Sequence, residues 1–480
     1  MSAISALPSE LLSAIFLLTL PPLSPFSQPL PLRDPTTRYA RDKHRTLLNN
    51  LDAPWTLPLV SSDWRYTALS LPGLWTRFFL SSSLTSFEGR ILHLQLARIK
   101  AFGSDTPMDV LIRFTSTTGH SYRERTKTPF APLLDALVEM RSRWRTVEWF
   151  FDDGIIALPP ILVSPAELQT LPNLVELRIM GTRPMSLDLL EFFQNAPRLT
   201  RVSLGDPNAN ASGWRSRGFE HVVLPWSQLM AYKSFVERLD PHLARLTLCA
   251  STLRVLDLHS ARKWYLAPMS RSLKLELPVL EALVLSLGEA ASGLGCFTAP
   301  QLAHLHISEL RDADGRELHA FLRRANSTIN MRSLTLTTLS SSALTASTII
   351  DILRETPRLG TLRLCMGTPP TADSNPVNDA PQNAILHAVL DSSHFLLREL
   401  QHLEWADFAD QTDRRLLVDF VIGAVSLRLV RVITHRMRMK SYGRRLRELG
   451  ESEGGRRIEF SAMGSYKGRK IVRDWREYFS

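Results

Sequence analysis

Apolar positions along this chain change period again and again. Short runs of the form L-x-x-L-x-L recur, and the stretches between them carry apolar residues three and four apart. "LPNLVELRI" (171–179), "APRLTRVSL" (196–204), "CASTLRVLDL" (249–258), "LPVLEALVL" (277–285), "APQLAHLHI" (299–307), "NMRSLTL" (330–336) and "TPRLGTLRL" (356–364) hold the first pattern. "WRTVEWF" (144–150), "SQLMAYKSF" (227–235) and "LQHLEWADF" (400–408) are degraded copies. The closing apolar pair of each run alternates and so shares one face of a strand. "SLDLLEFFQNAP" (186–197) and "STIIDILRETP" (347–357) read as helices. "ILHLQLARIKAF" followed by "MDVLIRF" suits a helix and then a strand at the start of the array. Most steps between first apolar positions (Trp144, Leu174, Leu199, Leu229, Leu253, Leu280, Leu302, Met331, Leu359, Leu400) are about 22 to 30 residues, the range of leucine-rich repeats. The pattern predicts an α/β fold of strand–helix units stacked into a solenoid over about 90–450, with a surface insertion at about 367–384.

The N-terminal segment differs. In "SALPSELLSAIFLLTLPP" the residues Leu7, Leu11, Leu12, Ile15 and Phe16 make an apolar stripe, Pro8 suits the first helical position, and Pro21-Pro22 stop the helix. A Pro-rich stretch over about 21–50 reads as an insertion. "DAPWTLPLVSSDWRYTALSLPGLW" (52–75) then packs three tryptophans into one run. Ser62 is the expected cap of a helix from Asp63 to about Leu69, and Pro72-Gly73 turn the chain so that Leu74 and Trp75 fold back. Pro58 shortens, kinks or delays any helix before it, since an interior proline costs about 3 kcal/mol.

These residues bear a resemblance. Leu7-Pro8, Glu10-Leu11-Leu12, Ile15-Phe16, Asp52-Ala53-Pro54, Val60, Trp64-Arg65, Ala68-Leu69 and Pro72-x-Leu74-Trp75 together resemble the F-box, especially the F-box-like variant common in mushroom-forming fungi. Ser61-Ser62 depart from it, replacing the more usual Cys-Arg. The later repeat is similar to the irregular leucine-rich repeats found behind F-boxes. The resemblance implies a helical module over 5–80 that docks on the Skp adaptor of an SCF-type ubiquitin ligase, and through it a cullin scaffold. It implies Leu7, Pro8, Leu11, Leu12, Ile15 and Val60 as adaptor contacts. Phe16, Trp64, Leu74 and Trp75 are expected in the module core.

If the array is a solenoid, the residues between its strand leucines line a concave surface. Arg178, Asp257, His304, His306 and Arg363 stand out there as substrate-facing candidates. The row is chemically mixed and fits a protein target better than any small ligand.

Composition narrows the picture. The 480 residues are 44% apolar and 22% charged, a folded balance. Cys249, Cys296 and Cys365 form no close pair and read as reduced buried thiols, which favours a cytoplasmic or nuclear setting. "LLSAIFLLTLPPL" (11–23) has the length of a signal core but no basic residue ahead of it and Glu10 against it. No apolar run approaches the ~20 residues that span a bilayer, so no membrane is expected. The net charge is +10, and from Arg428 onward fifteen Lys and Arg face six Asp and Glu. A basic helix at 436–451, a last strand at "RRIEF" and a basic tail or cap over 451–480 are expected. The stacking aromatics that single-strand binding would want are sparse in this basic block, which disfavours nucleic acid.

No phosphate loop, dinucleotide fingerprint, HExxH or GxSxG motif occurs. His304 and His306 lack a nearby third ligand, so no metal site is expected. Asp152-Asp153 read as a polar strand end. The expected function is that of a substrate receptor without catalytic residues or cofactor, which binds a target protein while other subunits transfer ubiquitin. The alternatives are an interaction scaffold outside the ubiquitin system and a nucleic-acid-associated protein acting through its basic C-terminus.

Overall fold

The computed structural model describes residues 7–20, 54–82, 84–103, 105–114, 130–151, 170–181, 192–205, 223–236, 239–259, 274–286, 294–308, 312–325, 330–338, 346–366, 381–391, 397–407, 414–423, 426–435 and 457–463. The insertion at 21–50, Asp152-Asp153, most of the 367–384 insertion, the basic segment 436–451 and the tail beyond 463 lie outside them. The chain forms two units that part between Leu229 and Met230.

The first unit opens with the helix Ser9–Leu18, a single 3-10 turn at Leu57–Leu59, the helix Ser62–Ser70 and the short helix Pro72–Trp75. Pro58 sits within the 3-10 turn, and the next helix begins only at Ser62. Its cap is Ser61 rather than Ser62, because Ser61 is extended and its Oγ accepts from the Trp64 N–H at 3.2 Å. Five strands follow: β1 Arg77–Ser81, β2 Met108–Phe114, β3 Trp144–Phe151, β4 Glu176–Gly181 and β5 Arg201–Leu204. They pair in parallel and in chain order. Helices Ser86–Ala101 and Phe130–Glu139 join the first three. β1 was not legible in the leucine pattern. The stretch 186–197, expected as a helix, is described only from Phe192, where it forms turns.

The second unit repeats the plan. β6 Ala231–Phe235, β7 Val255–His259, β9 Ala282–Ser286, β11 His304–Ser308, β12 Ser333–Thr338, β13 Thr361–Met366, β14 His402–Asp407, β15 Leu429–His435 and β16 Arg457–Met463 make one parallel sheet. Two short strands, β8 Leu275–Glu276 and β10 Phe297–Thr298, pair beside it. Helices Asp240–Cys249, Asp312–Ala325, Ala346–Arg354, Pro381–Asp391 and Arg414–Gly423 connect successive strands. From Asp312–Ala325 onward each helix packs on the next. β16 contains the expected last strand.

Parity sets the core. In β11 Leu305 and Ile307 are buried, as are their partners Leu334 and Leu336 in β12 and, one strand on, Leu362 and Leu364 in β13. Each unit thus has one leucine-rich sheet face. Apolar burial at about 25 cal/mol per Å² drives its packing. The opposite face carries most of the polar residues of the strands.

Candidate functional site

Two surfaces carry unusual chemistry. The first is on the N-terminal helices. Phe16 is fully buried, and its ring meets Trp64 edge-on at 4.9 Å. Trp75 is also fully buried; its indole N–H donates to the Ala68 carbonyl at 2.8 Å, and Trp55 meets its edge at 5.1 Å. The Arg98 guanidinium lies 4.2 Å from the Trp75 ring centre, a cation–π contact. Leu74 is buried and Trp64 half-buried. The tryptophan run is therefore largely structural.

Leu12 belongs with this core and not among the contact residues: it is buried, one helical turn from Phe16 on the inner face. Leu11 is rotated about 100° from it. Leu7, Leu11, Ile15 and Leu18 form the outer stripe, with Leu11 at 54% and Leu18 at 84% exposure. Pro8 and Val60 are exposed too. Leu17, Leu18, Leu59 and Tyr66 join the exposed set although the motif did not single them out. A helix with more leucines than one buried face can take, in a module too small to enclose them, is the signal that could have found them.

The second surface is the polar face of the strands. In the first unit Arg178 donates from Nε to Glu176 Oε1 at 2.8 Å and lies 3.7 Å from Glu148. Arg201 is 3.7 Å from Glu176. The register slips between Met108 and Asp109, so Trp144 and Thr146 have partners on β2 and Arg145 is the extra residue. Arg145 grips Asp109 with both branches: Nε–H to Oδ1 at 3.1 Å and Nη2–H to Oδ2 at 2.6 Å. That hydrogen-bonded pair raises the Arg145 pKa.

In the second unit Lys233 Nζ is 2.8 Å from Asp257 Oδ2, and His259 Nε2 lies against Oδ1. Burial alone would raise the Asp257 pKa, but His259 and Lys233 outweigh it and hold the carboxylate ionised. Glu404 sits between Arg363 at 3.5 Å and Arg431 at 3.6 Å.

Arg178, Asp257 and His306 therefore do not face solvent as expected. They are buried, because neighbouring strands stand about 4.8 Å apart and long side chains in register cover one another. Arg363 is half-buried, and His304 is exposed. Burial pushes the His306 pKa down to about 4 and the Cys249 thiol up to about 12. Among the described residues no group of three His, Cys, Asp or Glu is placed to hold a metal. No helix among them is long and apolar enough to cross a membrane. The arrangement is suited to recognition, through preformed guanidinium forks and exposed apolar side chains.

Compared with protein-family models and with curated protein sequences, the chain matches none.

Proposed function

We propose that this chain is the substrate-recognition subunit of an SCF-type ubiquitin ligase. The N-terminal helices dock on a Skp adaptor and through it a cullin scaffold, and the strand–helix array, read as a leucine-rich-repeat solenoid, holds a target protein. The reading rests on one observation above all, the stripe Leu7–Leu11–Ile15–Leu18 left in solvent above a core closed by Phe16 and Trp75. Burying an exposed leucine releases about 1.5–3 kcal/mol, so such a stripe is a strong apolar docking element. Catalysis belongs to other subunits. This chain contributes proximity, raising the concentration of target lysines near a charged conjugating enzyme. That work places it in the cytoplasm or nucleus.

The test is co-purification of the full-length chain with a Skp adaptor, beside a Leu11→Asp, Ile15→Asp variant. Both positions are exposed, so the variant keeps its fold, which circular dichroism checks. Unpaired charge in an apolar interface abolishes docking. Failure of the folded wild type to bind, or undiminished binding by the variant, removes the proposal.

A further inference from the structure

The strand-start edge of the polar face of β1–β5 has a layered charge. Asp109, Glu148 and Glu176 are buried, while Arg145 and Arg201, which pair with two of them, are 51% and 39% exposed. Arg178 lies among the carboxylates, and Arg77 is the register partner of Asp109. Arg145 and Arg201 thus stand outward over three carboxylates, which are hidden from water together with Arg178. The bulge on β3 aims Arg145, and the Asp109 fork fixes it while leaving Nη1 unused by that pair. An arginine held this way loses little rotamer freedom when it takes a second partner.

We infer that this edge binds an acidic stretch of a protein partner, with Arg145 and Arg201 as the outward anchors. As the identity of the target class this rests on the receptor reading; as a binding surface it stands apart from it. Carboxylates of the partner meet guanidinium edges already oriented, and the buried acids beneath keep the arginines from collapsing onto other groups. A nucleic acid fits less well. The local excess is a single positive charge, and affinity for a polyphosphate grows with the number of phosphates neutralised.

The experiment is fluorescence anisotropy on the full-length chain with a short labelled peptide alternating Glu and Gly, its Gln–Gly counterpart, and an oligothymidine. The acidic peptide binds, weakens as salt rises and is lost about tenfold in Arg201→Gln. The neutral peptide does not bind. Arg145→Gln has a similar effect but strands the buried Asp109, so Arg201→Gln, which leaves Glu176 paired with Arg178, decides the matter. Arg254→Gln, at an exposed ion pair of the other unit, changes nothing. Absence of binding, equal binding by Arg201→Gln, or tighter binding of oligothymidine lost in the same variants overturns the inference. Arg201→Gln keeps the adaptor, and Leu11→Asp, Ile15→Asp keeps the peptide, so the two readings fail separately.

Discussion

His242 and His306 are enclosed as neutral imidazoles. Burial, aided by Arg245, lowers the His242 pKa to about 3, and burial takes His306 to about 4. His242 is held by the Tyr232 hydroxyl at 3.0 Å. An imidazole in the unfolded chain titrates near 6.5. Below that pH the unfolded chain takes protons that the folded chain refuses, so stability falls as pH drops from about 6.5 towards 4. Asp257 acts in the same sense: its lowered pKa stabilises the fold at neutral pH, and that contribution is lost as pH falls below the carboxylate range. Urea unfolding across this window shows a falling midpoint. His306→Leu flattens it by up to about 3 kcal/mol between the ends. An unchanged slope in that variant contradicts the enclosure. The sequence identified His306 as a strand residue on the polar face. It did not show the burial, because that depends on the strands on either side, which set Val284 and Thr335 in register with it.

At the scale of single elements, the helix Ser86–Ala101 owes its start to a reciprocal cap. The Thr85 Oγ1 accepts from the Glu88 N–H at 3.2 Å, and Glu88 accepts from the Thr85 N–H at 2.7 Å. Thr85→Ala lowers unfolding stability by about 1 kcal/mol in urea titration. The body of this helix was legible in "ILHLQLARIKAF"; the T-x-x-E signal marks its start, and with Phe78 and Leu80 just ahead it could have located β1. The strands β3–β7, β9 and β11–β14 were legible because each first apolar residue of a repeat is buried, leaving its mark every few tens of residues, whereas β8, β10 and β15 carry no such repeat and were not. The helix Ser9–Leu18 was legible too, but not which leucines face in. A helix whose leucines lie on both flanks of the stripe carries no such information until Trp64 and Trp75 choose a face. Leu12→Asp therefore unfolds the module, seen as a red shift of tryptophan emission, whereas Leu11→Asp leaves emission unchanged.

Across the whole molecule, each unit is built from strands that pair with their neighbours in sequence, apart from the β8–β10 pair set beside the main sheet. Damage is then expected to stay near where it is made. Leu334→Asp puts a charge between Leu305 and Leu362 and unprotects β11–β13 in hydrogen exchange, while β1–β3 keep their protection. Uniform loss of protection throughout the chain contradicts this.

The same strand order has a kinetic side. A sheet that grows in chain order asks the nascent polypeptide to close only short loops, so strands can join as they leave the ribosome, with no partner to await from the far end. Each newly added strand is, for that interval, an open edge with unpaired N–H and C=O groups. A pause in translation after β7, β11 or β13 leaves such an edge exposed for longer, and the following repeat is what protects it from pairing with another chain.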